Sequence, residues 1–366
     1  MDELSFVGEL QKISEAQGPF VSLYLDTEAR DEAGAEQLQL RWRNFRGQIQ
    51  ERIPNIVDRI EPIVKGSHRQ GDGITVIANG DDILFRRFLR RPVEDSLSVG
   101  PLPNLLPLIE WGQDNPRTLL VLADRTGADI YVVHPDRQAE LDVIEGDKPD
   151  IGRTSRGGWA QPRYQRGQTK AWRDNAEIVA AEIMKVIGNE DPSLVLIAGD
   201  VEAIHLIREH LPDDSRYAFH EIDGSRRLRL EDVEGELDKA LAAYVGQATE
   251  LLLEKFKEER GQQDLAADGK FPTLAALRMA QVDKLLISTE GVQGEIWFSR
   301  SNPAQAAVDK QALAKIGLAD LEQANATDVF VSAAIASGAQ VRVIPALSEA
   351  HGPKEGVGGL LRFKTS

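Results

Sequence analysis

The sequence predicts an α/β protein of three consecutive domains, in which each domain combines a mixed sheet with packed helices. Short apolar runs typical of strands alternate along the chain with longer amphipathic stretches typical of helices. The chain has 366 residues, more than one typical domain holds, and its 42% hydrophobic and 28% charged residues suit globular domains with sizeable cores. These two observations predict the fold class.

Residues 1–114 are predicted to form the first domain. Its strands are predicted at residues 19–26, 73–78 and 83–89. Residues 33–65 have the pattern of a mainly helical stretch, which Pro54 and Pro62 are expected to break because proline lacks a backbone N–H. The prolines of residues 100–107 then indicate an extended connector.

Residues 115–261 are predicted to form the second domain. Its strands are predicted at residues 118–124, 128–134, 194–198 and 217–222. Its helices are predicted at residues 172–187, 201–210 and 231–260. The run at 194–198 is wholly apolar, as expected of a strand that is buried on both faces. The last helix would span about 45 Å at 1.5 Å per residue, a length that suits a spine between domains.

Residues 262–366 are predicted to form the third domain. Its strands are predicted at residues 284–288, 340–344 and 360–363. Its helices are predicted at residues 273–280 and 319–337, and Gly338 is a suitable residue to end the second of them. A glycine-rich loop leads into the last strand.

Composition excludes several classes of function. The chain has no cysteine, which excludes a disulfide scaffold, a cysteine nucleophile and thiolate-bound metal. It contains no phosphate-binding Gly-Lys-Ser/Thr loop, no His-Glu-x-x-His helix and no Gly-x-Ser-x-Gly elbow, so we expect no metal and no cofactor. It has no apolar run of about eighteen residues and no positive charge at its start, so the expected location is the cytoplasm.

The charge of the chain is strongly uneven. It carries 43 basic and 59 acidic residues, a net charge of −16, which argues against a general polyanion binder. Residues 152–173 nevertheless hold six basic residues and no acid, so that the rest of the chain carries −22. The six are Arg153, Arg156, Arg163, Arg166, Lys170 and Arg173.

The composition of this basic segment suits an RNA-binding loop. Arginines neutralise phosphates and stack on bases, aromatic rings offer further stacking faces, and glycines let the backbone approach closely. The other residues of the segment that we assign to RNA binding are Gly157, Gly158, Trp159, Gln161 and Tyr164. The alternative that composition leaves open is a solvated linker whose arginines pair with acids elsewhere on the acidic protein.

Two stretches resemble the class I release factor and Pelota superfamily of eukaryotes and archaea. The first is Arg156-Gly157-Gly158 in a basic loop that runs into a helix, where the family carries Gly-Gly-Gln in its central domain. The second is residues 352–363, which are similar to the glycine-rich loop and final strand of the family's third domain. The resemblance covers about the last two-thirds of the chain and implies a release-factor-like arrangement of three domains.

The sequence departs from the family at one important position. Trp159 stands where the family has the glutamine that helps to position water on the peptidyl-tRNA ester, and an indole cannot orient that water as an amide does. The chain therefore resembles the bacterial branch without this glutamine, which includes Balon-like ribosome hibernation factors. That resemblance implies a non-enzymatic tRNA mimic in the ribosomal A site, with the basic segment near the peptidyl-transferase centre.

The resemblance also implies the partners. These are the 70S ribosome, through rRNA of the A site and the peptidyl-transferase centre, and elongation factor Tu; no membrane partner is expected. The first domain would face the decoding site. The third domain would contact the stalk base or elongation factor Tu through a loop that holds Gly352, Lys354, Gly356, Gly358 and Gly359.

Two other functions stay open. A shifted loop could present Gln161, two positions after Trp159, to water. The chain would then be a peptidyl-tRNA or tRNA-end hydrolase of the same superfamily. The other alternative is a stress-induced protein-interaction module that no longer touches ribosomes.

Overall fold

The computed structural model describes most of the chain. The described residues are 3–27, 32–67, 70–80, 82–89, 91–134, 140–145, 161–212, 217–262 and 265–363. Contacts group them into two compact units, a central unit of residues 115–245 and a flanking unit of residues 3–114 and 246–366. The division into three domains at residues 1–114, 115–261 and 262–366 stays a prediction.

Helices and strands alternate throughout the described residues. The helices are α1 (Glu3–Glu15), α2 (Glu32–Arg52), α3 (Pro54–Lys65), α4 (Leu106–Asp114), α5 (Gln161–Glu190), α6 (Val201–His210), α7 (Leu230–Gln262), α8 (Lys270–Arg278), α9 (Lys310–Lys315) and α10 (Ala326–Ala336). The strands are β1 (Phe20–Asp26), β2 (Gly73–Ala78), β3 (Ile83–Leu89), β4 (Ser96–Gly100), β5 (Thr118–Asp124), β6 (Gly127–Val133), β7 (Glu140–Glu145), β8 (Leu194–Gly199), β9 (Ala218–Glu221), β10 (Ala266–Asp268), β11 (Val282–Ser288), β12 (Glu295–Ser299), β13 (Asn302–Ala307), β14 (Leu321–Asn325), β15 (Gln340–Ile344) and β16 (Val357–Leu361). The predicted α/β fold with several sheets is confirmed. Of the helices described, none combines the length and the apolar character that a membrane crossing requires.

The central unit is one five-stranded sheet with helices on both faces. Its strand order is β7-β6-β5-β8-β9, in which β5, β8 and β9 are parallel and β6 and β7 are antiparallel to their neighbours. α5 and α6 pack on one face, and the first half of α7 packs on the other. The last residue of α5, Glu190, lies beside Arg117, just before β5. α5 therefore begins near the carboxyl ends of the parallel strands, which we call the carboxyl edge of the sheet.

The N-terminal sheet of the flanking unit has the strand order β3-β2-β1-β4. All of its strand pairs are antiparallel. The prediction of a sheet with both parallel and antiparallel pairs is therefore wrong for this region. A short turn joins β2 to β3 and makes this pair antiparallel, because parallel neighbours need a long crossover. β1 and β2 are antiparallel although α2 and α3 lie between them in the chain. α2 and α3 bury one face of this sheet.

The predicted helical stretch at residues 33–65 divides between α2 and α3. Pro54 is the first residue of α3, where its missing N–H removes no helical hydrogen bond. The break predicted at Pro62 is wrong, because Pro62 lies inside α3. Ile56 and Ile60 of this helix are fully buried against the sheet, and their burial outweighs the one hydrogen bond that Pro62 removes.

The C-terminal part of the flanking unit contains two sheets, β10-β16-β11-β15 and β13-β12-β14. The first is mixed, as predicted, with β11 parallel to β15 and antiparallel to β16. The helix predicted at 319–337 begins only at Ala326, because residues 321–325 pair with β12 as β14. Asn325 then caps α10 by accepting a hydrogen bond of 2.9 Å from the Thr327 N–H.

One hydrophobic core joins the two parts of the flanking unit. Leu10 and Ile13 of α1 and Tyr24 of β1 lie in the same core as Phe330 and Val331 of α10. All five side chains are buried. This shared core explains why contacts place residues 3–114 and 246–366 in one unit.

Candidate RNA interface

The residues that the sequence assigns to RNA binding fall into three groups. Arg153, Arg156, Gly157, Gly158 and Trp159 lie outside the described residues. Gln161, Arg163, Tyr164 and Arg166 lie in the first two turns of α5, where only the backbone is described. Lys170 and Arg173 have exposed side chains on the same helix.

α5 reaches past the sheet at its N-terminal end. Ala176 and Ile183 are buried in the central unit, and Trp172 and Asn175 contact the β5–β6 turn at the carboxyl edge. The helix has eleven residues before Trp172, which amounts to about 16 Å at 1.5 Å per residue. The N-terminal turns of α5 therefore extend beyond the edge of the sheet, and in sequence they come directly after residues 152–160 of the basic segment.

The basic positions of α5 share one face of the helix. At 100° per residue, positions 163, 166, 170 and 173 fall within an arc of about 80°. The centre of the buried positions on the same helix lies about 110° away. We call these four positions the basic face; Lys170 and Arg173, the two whose side chains are described, are exposed.

The β5–β6 turn holds α5 in place at the carboxyl edge. The guanidinium carbon of Arg125 lies 4.2 Å from the centre of the Trp172 ring, and Arg125 Nε donates a hydrogen bond of 3.0 Å to Asp200 Oδ1. Asn175 Nδ2 donates a hydrogen bond of 3.0 Å to the Arg125 carbonyl. Cation–π stacking and charge-assisted hydrogen bonds of this kind orient their partners. The turn therefore fixes the direction of α5 relative to the sheet.

Asp200 begins α6 and is held as an anion. Its carboxylate accepts hydrogen bonds of 3.1 Å from two backbone N–H groups in the first turn of α6, besides the one from Arg125. Burial acts to raise the pKa of Asp200, but the hydrogen bonds from Arg125 and from the α6 backbone outweigh it and lower the pKa. Gly199 precedes it with φ of +143°, and a Cβ there would lie 1.8 Å from the Ala123 carbonyl oxygen. Only glycine lets β8 approach β5 this closely.

Arg226 ties the same turn to the loop between β9 and α7. Its guanidinium donates hydrogen bonds of 3.1 Å to Asp129, 3.2 Å to Asp124 and 3.1 Å to the Ile144 carbonyl. The Arg226 side chain is only 13% exposed. Burial acts to raise the pKa of Asp124, but hydrogen bonds from Thr126 and Arg226 outweigh it and lower the pKa. Arg226 is thus a structural residue of the carboxyl edge.

We expect Arg226→Met to lower the free energy of unfolding of the central unit by about 2 kcal/mol, because it removes the nearly buried guanidinium that joins three partly exposed acceptors. Urea denaturation at pH 7 measures the change. Arg227→Met removes the neighbouring exposed arginine and should change the stability by less than about 0.5 kcal/mol. Equal effects of the two substitutions would contradict the structural role of Arg226.

Most of the lysines and arginines of the central unit whose side chains are described form ion pairs. The paired ones are Arg117, Arg125, Lys185, Arg208, Arg226, Arg229 and Lys239. Lys170, Arg173 and Arg227 make no ion pair with any residue whose side chain is described, although Asp174 and Glu177 follow on α5. An exposed cation without an acidic partner keeps its charge for a phosphate.

Lys170, Arg173 and Arg227 therefore offer positive charge to a ligand. Three acids of the carboxyl edge, Asp124, Asp129 and Asp200, are already engaged by Arg125 and Arg226, whereas Glu202 and Asp223 are exposed. Across the part of the chain that is described, no three histidine, aspartate or glutamate side chains come together to hold a metal ion. None of these structural residues is assigned a role from the sequence, since the partners of Arg226 lie 97 and 102 residues earlier in the chain.

The glycine-rich loop that the sequence assigns to partner binding is fastened to the flanking unit. Arg260 of α7 donates a hydrogen bond of 3.0 Å to the Gly352 carbonyl. The Lys354 N–H donates one of 2.8 Å to Asp268, and the exposed Lys354 Nζ lies 3.5 Å from the same carboxylate. Gly356 has φ of +73°, a conformation that favours glycine.

Gly358 and Gly359 lie in the buried strand β16. A Cβ on Gly358 would lie 2.7 Å from Phe256 Cζ, and a Cβ on Gly359 would lie 3.2 Å from Val282 Cγ1. The lack of a side chain at these two positions therefore serves packing. The part that this loop plays in partner binding stays a prediction.

We expect Gly358→Ala to lower the free energy of unfolding of the flanking unit by about 2 kcal/mol, because the fully buried Phe256 ring cannot yield without strain. Denaturant titration measures the loss. Gly246→Ala in α7 is the matched control, since a Cβ there meets nothing within 4 Å, and it should be neutral or stabilising. If both variants unfold at the same denaturant concentration, the packing role of Gly358 is wrong.

The central part of the chain is similar to a known protein family. Residues 117–262 match the family model described as Bacterial archaeo-eukaryotic release factor family 2. The matched segment runs from just before β5 to the end of α7 and contains Lys170, Arg173 and Arg227. The predicted resemblance to release factors is supported over this segment, whereas the Balon-like branch stays a prediction.

Whole-chain similarities are more distant. Two uncharacterized proteins of Mycobacterium tuberculosis, from different strains, are 25% identical over 358 residues, which cover 95% of this chain and 94% of theirs. An archaeal translation termination factor is 16% identical with a TM-score of 0.25, over 98% of this chain and 97% of that one. Pelota of Archaeoglobus fulgidus is 14% identical with a TM-score of 0.35, over 99% of this chain and 93% of that one.

Proposed function

We propose that the protein binds the ribosome, occupies the A site as a tRNA mimic and idles the ribosome during stress. One observation carries the proposal: Lys170 and Arg173 are exposed cations of the basic segment that pair with no acid among the described side chains, and they lie within the part of the chain that matches a release-factor family. The ligand of this charge is rRNA, because RNA combines phosphates for the cations with bases that stack on arginines and aromatic rings.

The contacts around α5 support its use as a rigid RNA-binding helix. Arg125, Trp172 and Asn175 hold the helix to the carboxyl edge. The basic face is thus presented in a fixed direction before RNA binds, which reduces the entropy lost on binding. Asp124, Asp129 and Asp200 at this edge are held by Arg125 and Arg226, so these three acids do not neutralise Lys170 or Arg173.

The acidic remainder of the chain restricts binding to a matched site. A net charge of −16 opposes nonspecific association with polyanions. Residues 152–173, which hold six basic residues and no acid, are the exception. High affinity for RNA therefore requires a site that binds this segment and leaves room for the acidic remainder of the chain. Such selectivity against other RNA suits a tRNA-shaped pocket.

In this proposal the protein acts by occupancy and not by catalysis. Residues 153–173 lie near the peptidyl-transferase centre, with Gly157 and Gly158 allowing a tight loop. Trp159 fills the place of the release-factor glutamine and leaves the peptidyl-tRNA ester intact. The flanking unit presents the exposed Lys354 to the stalk base or to elongation factor Tu.

Sucrose gradients of lysates from growing and stationary cells test this function. We expect the protein in the 70S fraction of stationary cells and little of it there in growing cells. Arg163→Glu with Arg166→Glu on the basic face should abolish co-sedimentation. A protein that stays at the top of the gradient under both conditions would instead indicate the interaction module that has lost ribosome binding.

We expect the protein to leave ribosome-bound peptidyl-tRNA intact, and Gln161→Ala to change nothing, because the amide of Gln161 belongs to the first residue of α5 and not to a Gly-Gly-Gln loop. Release of labelled peptide from 70S complexes measures this. Trp159→Gln restores the family sequence and should make hydrolysis measurable. Cleavage by the wild-type protein that Gln161→Ala abolishes would favour the hydrolase over the occupancy model.

A further inference from the structure

Three arginines in the loop between β9 and α7 have different surroundings. Arg226 is 13% exposed and bound to carboxylates on the β5–β6 hairpin. Arg229 lies 3.3 Å from Glu231 and 3.8 Å from Asp232. Arg227 is exposed and makes no ion pair with any residue that the structure describes. Of the three arginines, Arg227 is the one without an acidic partner among the described side chains.

The loop that carries Arg227 is rigidly held. The Arg227 N–H donates a hydrogen bond of 3.1 Å to Ser225 Oγ, and the Leu228 N–H donates one of 2.9 Å to the Ser225 carbonyl. A Cβ on Gly224 would lie 2.9 Å from the Ala198 Cβ, so the loop runs close against the end of β8. Arg227 therefore projects from a defined place at the carboxyl edge.

A continuous series of contacts joins Arg227 to the helix that carries the basic face. Its neighbour Arg226 binds Asp124 at the end of β5, and Arg125, the next residue of the turn, stacks on Trp172 of α5. α5 and α7 pack on opposite faces of the sheet. Arg227 and the basic face therefore lie on the two sides of the β5–β6 turn, at the same edge.

We propose that Arg227 binds a phosphate of the same RNA that the basic face binds, so that the RNA interface spans both sides of the β5–β6 turn. The identity of this RNA as rRNA rests on the proposed function. An arginine suits the task because its guanidinium binds phosphate through two parallel hydrogen bonds and stays charged at every physiological pH. No motif marks this residue, and it lies more than fifty residues beyond the basic segment.

Binding of Arg227→Gln to purified 70S ribosomes at several salt concentrations tests the proposal. We expect Kd to rise about 10-fold at low salt, and the slope of log Kd against log salt concentration to fall by about 1, as for one lost phosphate contact. Arg229→Gln is the matched control, since it removes the same charge from the same loop but from an arginine that acids already neutralise. Its Kd should change less than about 2-fold. Both variants should melt within about 2 °C of the wild type.

Lys170→Gln combined with Arg173→Gln separates this proposal from the proposed function. If the double variant weakens binding and Arg227→Gln behaves like Arg229→Gln, the contact through Arg227 is wrong and the proposed function stands. If the wild-type protein does not bind ribosomes, both are wrong. If Arg227→Gln weakens binding as expected while Arg229→Gln does not, the interface includes Arg227.

Discussion

Asp328→Asn should stabilise the flanking unit by up to about 4 kcal/mol at pH 8.5 and leave its stability nearly unchanged at pH 4. Asp328 lies in the first turn of α10 and is only 8% exposed. Burial raises the pKa of Asp328 from 3.8 to about 7. Asparagine has nearly the same shape but carries no charge that must be buried, so the penalty disappears with the substitution.

The direction of this effect follows from the proton balance. Between pH 3.8 and about 7, the folded chain keeps a proton on Asp328 that the unfolded chain releases. Unfolding therefore releases a proton, and the wild-type protein loses stability as the pH rises through this window. Above about pH 7 the folded carboxylate is ionised as well, and the loss levels off. The difference between the two pKa values corresponds to about 4 kcal/mol.

Urea denaturation of the wild type and Asp328→Asn at pH 4 and 8.5 measures the effect. Glu110 and Asp114, whose pKa values burial also raises, change both proteins alike. Asp320→Asn is a control of opposite sign, because hydrogen bonds from Ser301 and Ser299 lower the pKa of Asp320 to about 2. Loss of the Asp320 carboxylate should destabilise the flanking unit at pH 8.5. If the stability of Asp328→Asn followed that of the wild type at both pH values, Asp328 would not bury a charge.

The other large effect is expected for ribosome binding. Lys170→Gln combined with Arg173→Gln should raise the Kd for 70S ribosomes about 30-fold near 100 mM salt and lower the salt slope by about 2, because each side chain neutralises a phosphate. Both side chains are exposed on α5, so their loss should leave the fold intact. Fluorescence titration of a labelled protein with 70S ribosomes at three salt concentrations gives both quantities.

A second double variant controls for the loss of charge alone. Lys185→Gln with Arg208→Gln removes the same two charges from the same unit, but these side chains pair with Glu182 and Glu221. Its Kd should stay within about 2-fold of the wild type. If both double variants weakened binding to the same degree, only net charge would matter, and the basic face would not be the RNA-binding surface.

An element can be predicted from the sequence when the polarity of its own residues shows which of its faces are buried. The wholly apolar run at 194–198 is β8, parallel to β5 at the centre of the sheet, and Asp200 after it is the N-cap of α6. Elements that depend on a distant partner are not predictable in this way. β14 has a polar sequence that suits the start of a helix, and only pairing with β12 makes it a strand.

The same distinction applies to the candidate RNA interface: some of its features depend on local sequence, and others depend on residues far along the chain. The cationic character of residues 152–173 is visible in the sequence, because it depends on local composition alone. Which cations are free depends instead on acids far along the chain, as with Arg226 and Asp124. Arg226 and Arg227 are identical neighbours in the sequence, and only the fold gives one a structural role and leaves the other exposed.

Competition with tRNA for purified 70S ribosomes tests the central claim most directly. We predict that the protein co-sediments with ribosomes whose A site is empty, and that tRNA bound in the A site displaces it in proportion to A-site occupancy. Binding that A-site tRNA leaves unchanged, or no binding to either kind of ribosome, would contradict the claim that the protein occupies the A site.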